Sequence, residues 1–189
     1  MPMNRIYPIT IRRSFVAGDL RMPSVAELER GEDDGLGGNQ HYQDLRGVSW
    51  DQVAEVVDEE AALIARFEAA GDLHAEAEEF EDERIDGDDA LRGLDVGVAG
   101  AIFALSALGA VPIGSCNAGG FGGHHVASFP YVAFFAEAAI APLILSIAES
   151  AEVGLDVVDG GTGRLFGRTD HDLHRFARVS LSRMRGGHV

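Results

Sequence analysis

The chain contains no lysine, only one cysteine, and no apolar run long enough to be exported or to cross a bilayer. The missing lysine, set against abundant Ala, Gly, Arg and Val, is the mark of GC-rich, bacterial-type coding. It also removes any Gly-Lys-Ser/Thr ending, so the glycines of the chain form no nucleotide P-loop. A single cysteine, Cys116, excludes an intramolecular disulfide, and its free thiol suits a reducing compartment, which makes the cytoplasm the expected location. Residues 1–15 hold Arg5, Arg12 and Arg13 but no secretory apolar core. Val96 to Ile113 is a run of eighteen uncharged residues of the length that must be tested as a membrane span, but it is interrupted by Pro112. That leaves about fourteen helical residues, ~21 Å against a ~30 Å hydrocarbon layer, so it reads as a buried core helix. There is no internal repeat and no sign of a second domain.

What is present is a chain of 189 residues, 46% hydrophobic and 24% charged, the make-up of one globular domain. Its formal charge of −16 is concentrated. Residues 1–48 carry seven acids and six arginines, residues 49–89 sixteen acids and two arginines, and residues 90–189 eight acids and seven arginines, giving −1, −14 and −1. A salt-adapted surface would spread its acids, so the block is a property of this protein. It repels phosphate backbones and disfavours nucleic acid. The commonest meaning of such a block is a solvated face; the functional alternative is a docking surface for a basic protein partner, with Glu55, Asp58, Glu59, Glu78, Glu79, Glu81, Asp82 and Glu83 the residues expected to meet it.

Hydrophobic periodicity supplies the elements. Arg5 to Phe15 alternates like a half-buried strand, and Pro8 confines it to a sheet edge. Residues 17–48 read as a loop-rich segment. Ser49-Trp50-Asp51-Gln52 is a capping box opening a helix with Val53, Val56, Val57, Ala61, Ile64 and Phe67 on one stripe. The acidic stretch from Leu73 to Arg84 is at best a weakly anchored helix or else a partly disordered segment, because its like charges repel. A central helix is expected from Asp88 and Asp89 through Leu91, Leu94, Val98, Ile102, Leu105 and Leu108. Short buried strands follow at Ala110 to Gly114 and Tyr131 to Ala136. Next come a helix with Pro142 in its first turn, a hairpin turning at residues 159–163, and a last helix from Thr169. The order predicts a single-domain α+β fold, with a mixed sheet of about four or five strands and helices mainly on one face.

Chemistry has one distinctive segment, Gly114 to His125. Cys116 at a strand end, with His124 or His125 as base, forms a potential thiolate nucleophile, and the residues around it would supply backbone amides to an anion. Those ligand-binding candidates are Ser115, Asn117, Gly119, Gly120, Gly122 and Gly123. Zinc is the one metal that such a Cys/His set would take, but the Cys-x7-His-His spacing matches no standard zinc motif, and no cofactor is predicted. A buried structural cysteine is the simpler reading. His171 and His174, three residues apart in Asp170-His171-Asp172-Leu173-His174, are a weaker metal pair, since Thr169 and Asp172 are better explained as caps.

From Ala101 to Leu155 the chain resembles the tRNA-wybutosine-synthesising methyltransferase family, where an apolar helix leads through a short strand to a Ser-Ser-Cys-Ser-Gly-Arg segment. The matching stretch here is Gly114-Ser115-Cys116-Asn117-Ala118-Gly119. The resemblance implies a related fold and carries over no catalytic role. Two functions therefore stand as expectations. One is a non-catalytic acidic binding or regulatory protein; the alternative is a small enzyme or ligand-binding protein centred on Cys116.

Overall fold

The structure is a computed structural model that describes residues 5–36, 39, 42–86, 91–122, 127–158 and 160–186. Among these, six helices surround one mixed five-stranded sheet, so the α+β architecture expected from the sequence is the one observed. In chain order the elements are β1 (Arg13–Ser14), α1 (Val25–Asp34), α2 (Trp50–Ala69), α3 (Leu73–Asp86), α4 (Ala99–Ala107), β2 (Val111–Cys116), β3 (Tyr131–Phe135), α5 (Ala141–Ser150), β4 (Gly154–Val158), β5 (Thr162–Phe166) and α6 (Asp172–Gly186). No helix among the described residues is long and apolar enough to cross a membrane.

The strands run in the order β1-β4-β5-β3-β2. All neighbours are antiparallel except β1, which lies parallel to β4 at one edge. Strand alternation then sorts the side chains. Val132, Phe134, Leu155 and Leu165 face the main core, which α2, α4, α5 and α6 complete. Val111 and Phe135 face the other way and meet Leu28 of α1 and Leu36 in a second, smaller cluster. At the far edge β2 is irregular: its register shifts between Pro112 and Gly114, and the Asn39 side chain donates to the Ile113 carbonyl at 3.1 Å.

The central helix is α4. Every residue from Ala99 to Ser106 is buried, as an apolar helix lying between other helices and a sheet must be. It ends in a Schellman turn, with the Ala110 amide on the Leu105 carbonyl and Gly109 at φ +96. Its start differs from the expectation. Arg92, Gly93 and Gly97 adopt positive φ, which breaks any helix running from Leu91, so regular structure begins at Ala99. Asp88 and Asp89 lie outside the described residues.

Three other segments depart from the sequence reading. The alternation over Arg5 to Phe15 yields only a two-residue strand plus an isolated bridge from Ile6 to Thr169, and Ile6 stays 74% exposed. Part of 17–48 is ordered as α1, where Glu27 accepts from the Ser24 amide and hydroxyl at the helix start. Segment 73–86 is a helix despite its charge. Ala77 and Phe80 are buried, Arg66 of α2 binds both Glu76 and Glu83, and Arg84 pairs with Glu81 at 3.0 Å. Arginine neutralisation offsets the repulsion that its acids would otherwise impose.

Candidate functional site

The end of β2 delivers the chain into the glycine segment through a buried polar hub. Asn117 donates from Nδ2 to the Val96 carbonyl at 3.2 Å and the Gly120 carbonyl at 2.5 Å, and its Oδ1 accepts from the Gly119 amide at 3.0 Å. Ala118, Gly119, Phe121 and Gly122 all sit at positive φ. The resulting coil turns Phe121 inward, against Phe67 with centroids 6.1 Å apart and edge-on to His171 at 5.5 Å. Gly122 is pressed on α3 so closely that a Cβ would overlap the Ala77 side chain. Cys116 is only 4% exposed, and its sulfur accepts from the Ala118 amide at 3.3 Å. The nucleophile candidate therefore points into protein. Its proposed partners His124 and His125, together with Gly123, lie outside the described residues. Ser115 and Asn117 share the strand end with Cys116, and Asn117 acts as a brace for the loop backbone.

An N-terminal strap closes the other side of this loop. Asp170, 4% exposed, accepts from the Tyr7 hydroxyl at 2.6 Å and the Arg5 amide at 3.2 Å, and the Arg5 guanidinium donates to the Gly119 carbonyl at 3.2 Å. Burial, followed by the bond to the Asp170 carboxylate, pushes the Tyr7 phenol above the ordinary tyrosine range, so it stays a donor at neutral pH. Asp170 also presses on the loop directly, since a Cβ at Gly120 would lie 2.7 Å from its Oδ1.

Between the loop and α3 opens a cleft of about 790 Å³. Glu78, Glu81, Asp82, Leu73, His74 and Ala77 line it from α3, and Arg5, Gly119 and Gly122 from the loop side. Two constellations that are far apart in sequence, the glycine segment and the acidic block, thus share one hollow. The expected partner-facing residues of α2, Glu55, Asp58 and Glu59, are exposed, as are Glu78, Glu79, Asp82 and Glu83 of α3; Glu81 is half-buried. Glu83 is held by Arg66 at 2.5 Å and Glu81 by Arg84, whereas Glu79 and Asp82 form no ion pair among the described residues.

The two histidines near the last helix separate. His171 precedes α6 and lies 3.3 Å from Glu68, while His174 is buried with Nδ1 2.7 Å from Glu60 Oε2. They do not present one face to an ion, and among the described residues no group of three or more His, Cys, Asp or Glu could hold a metal. Glu60 itself escaped the sequence reading. It is fully buried, and its carboxylate accepts from the Gly97 amide at 3.0 Å and the Gly100 amide at 3.2 Å as well as meeting His174. The available signal was its position, three and four residues from Val57, Val56 and Ile64 on the apolar stripe. No family model, no curated protein and no solved structure matches the chain.

Proposed function

We propose that this chain is a non-catalytic binding protein that engages a basic protein partner through α2 and α3. The cleft beside the glycine loop would receive an arginine or lysine side chain of that partner. The observation that carries this reading is the cleft lining: three carboxylates, Glu78, Glu81 and Asp82, line a hollow of about 790 Å³, which admits such a side chain together with the residues beside it. Glu55, Asp58 and Glu59 of α2 and Glu79 of α3 are exposed as well and add to the negative field, and complementary charge of this kind raises association rate and selects partners. Arg66 clips the two helices together, so their carboxylates are displayed as one surface. Burial of the Cys116 sulfur weighs for binding and against thiol chemistry.

The test is titration of the chain with an oligo-arginine peptide at low and high salt, on the native protein and on the triple variant Glu78→Gln, Glu79→Gln, Asp82→Asn. A control triple, Glu137→Gln, Glu149→Gln, Glu152→Gln, removes as much charge elsewhere. The expected result is affinity that falls steeply with salt and with the first triple but not with the second. Equal weakening by both triples, or affinity indifferent to salt, overturns the reading.

A further inference from the structure

The groove between α5 and α6 has the opposite character to the rest of the surface. Its volume is about 540 Å³, and its charged lining consists of Arg175, Arg178 and Arg183, interleaved with Ser146, Ser150 and Ser182. Among the described residues no carboxylate lines it, although the chain as a whole carries −16. Three of the seven arginines in residues 90–189 are gathered here.

Two of these guanidiniums are held in place by the fold. Arg175 donates to the Ala151 carbonyl at 2.7 Å and to buried Asp172 at 2.9 Å, and Arg183 donates to the Ser146 hydroxyl at 2.7 Å. Arg178, three residues after Arg175 and thus on the same side of α6, is exposed and has no hydrogen-bond or ion-pair partner among the described residues. Asp172 neutralises one charge from beneath, which leaves a net positive groove with an unspent fork at its centre. The Ser150 hydroxyl is spent on the Ser146 carbonyl at 2.9 Å, which leaves Ser146 and Ser182 as hydroxyl donors beside the guanidinium forks, and forks flanked in this way match tetrahedral oxyanions.

We propose that the α5–α6 groove binds a compact phosphate group carried by a small molecule. Among the described residues the lining contains no aromatic ring on which a nucleobase could stack. A long polyanion would meet the repulsion of the −14 block once it extended past the groove, whereas a ligand whose charge fits inside is screened from it. This site lies apart from the acidic cleft, and neither reading depends on the other.

The full chain is titrated with inorganic pyrophosphate by calorimetry and by backbone-amide NMR, alongside duplex DNA and phosphatidylserine vesicles. Saturable pyrophosphate binding with the largest shifts in α5 and α6 is expected. Arg178→Ser should weaken it about tenfold or more, the effect of losing a charge-assisted contact, with no change in fold because Arg178 holds nothing in place. Arg183→Ser should weaken it as well, and Arg46→Ser, whose guanidinium pairs with Asp44, should leave it unchanged. The proposal is overturned by absence of saturation at millimolar pyrophosphate or by native affinity in Arg178→Ser. Tighter, Arg178-dependent binding of DNA or vesicles would overturn it too.

Discussion

Substituting Glu60 by glutamine tests whether the buried carboxylate holds three helices together. In the native protein its two oxygens serve three donors: the Gly97 amide on Oε1, and the Gly100 amide and His174 Nδ1 on Oε2. Glutamine keeps the shape but has one acceptor. Its oxygen can stay with Gly100 and His174, which turns the NH2 group onto the Gly97 amide, donor against donor. Orphaning a buried amide costs about 1–3 kcal/mol. Losing the negative charge at the first turn of α4 removes roughly 0.5–2 kcal/mol more. The sum is a loss of roughly 1.5–5 kcal/mol. Glu60→Leu, which strands all three partners, should lose more than Glu60→Gln, since each buried polar group left unsatisfied costs about 1–3 kcal/mol. Urea unfolding followed by circular dichroism reads the effect, and with a slope of ~2–3 kcal/mol per molar the Glu60→Gln midpoint should fall by about 1 M. A Glu60→Gln protein within about 0.5 kcal/mol of native, with an unchanged slope, would refute the reasoning.

Two further outcomes are expected. Gly47 and Gly122 have nearly the same backbone, φ +82 and φ +84, but a Cβ at Gly47 meets nothing within 4 Å while one at Gly122 collides with Ala77. Gly47→Ala should therefore cost only the backbone term, about 1–2 kcal/mol, and Gly122→Ala about 1–3 kcal/mol beyond it, as thermal or urea unfolding will show. Glu27 is held down to about 2, first by the Arg21 side chain and then by the Ser24 amide and hydroxyl. A depressed carboxyl contributes stability above the unfolded-state value, and that contribution fades as pH falls from there towards about 2. NMR titration of the Glu27 carboxyl should give a midpoint near 2, and Arg21→Ala should return it towards 4.5.

Elements whose cause is local were legible in the sequence. The capping box is present in full, with the Gln52 amide on Ser49 Oγ and the Ser49 amide on Gln52 Oε1. Pro142 lies in the first turn of α5, and the hairpin of β4 and β5 turns where the glycines predicted. Misreadings came where distant contacts override local pattern. Leu91 and Leu94 keep helical spacing, yet left-handed residues among them wind the chain into turns that bury Leu91 without a helix. The acids of α3 argued against order, and only the tertiary ion pairs of Arg66 supply the missing counter-charge. The same holds for the site. The glycine run showed that the backbone there adopts unusual angles, but nothing in residue spacing ties it to Tyr7 and Asp170, 163 positions apart, or sets a groove of arginines between α5 and α6.

The irregular margin of the sheet has a consequence for how this molecule meets others. A proline, a bulge and the capped Ile113 carbonyl leave β2 without a continuous row of free peptide groups, and the opposite border, β1, is two residues long. Neither side offers a template along which another chain could extend the ladder. Among the described residues both borders of the sheet therefore disfavour association by strand addition or fibre growth.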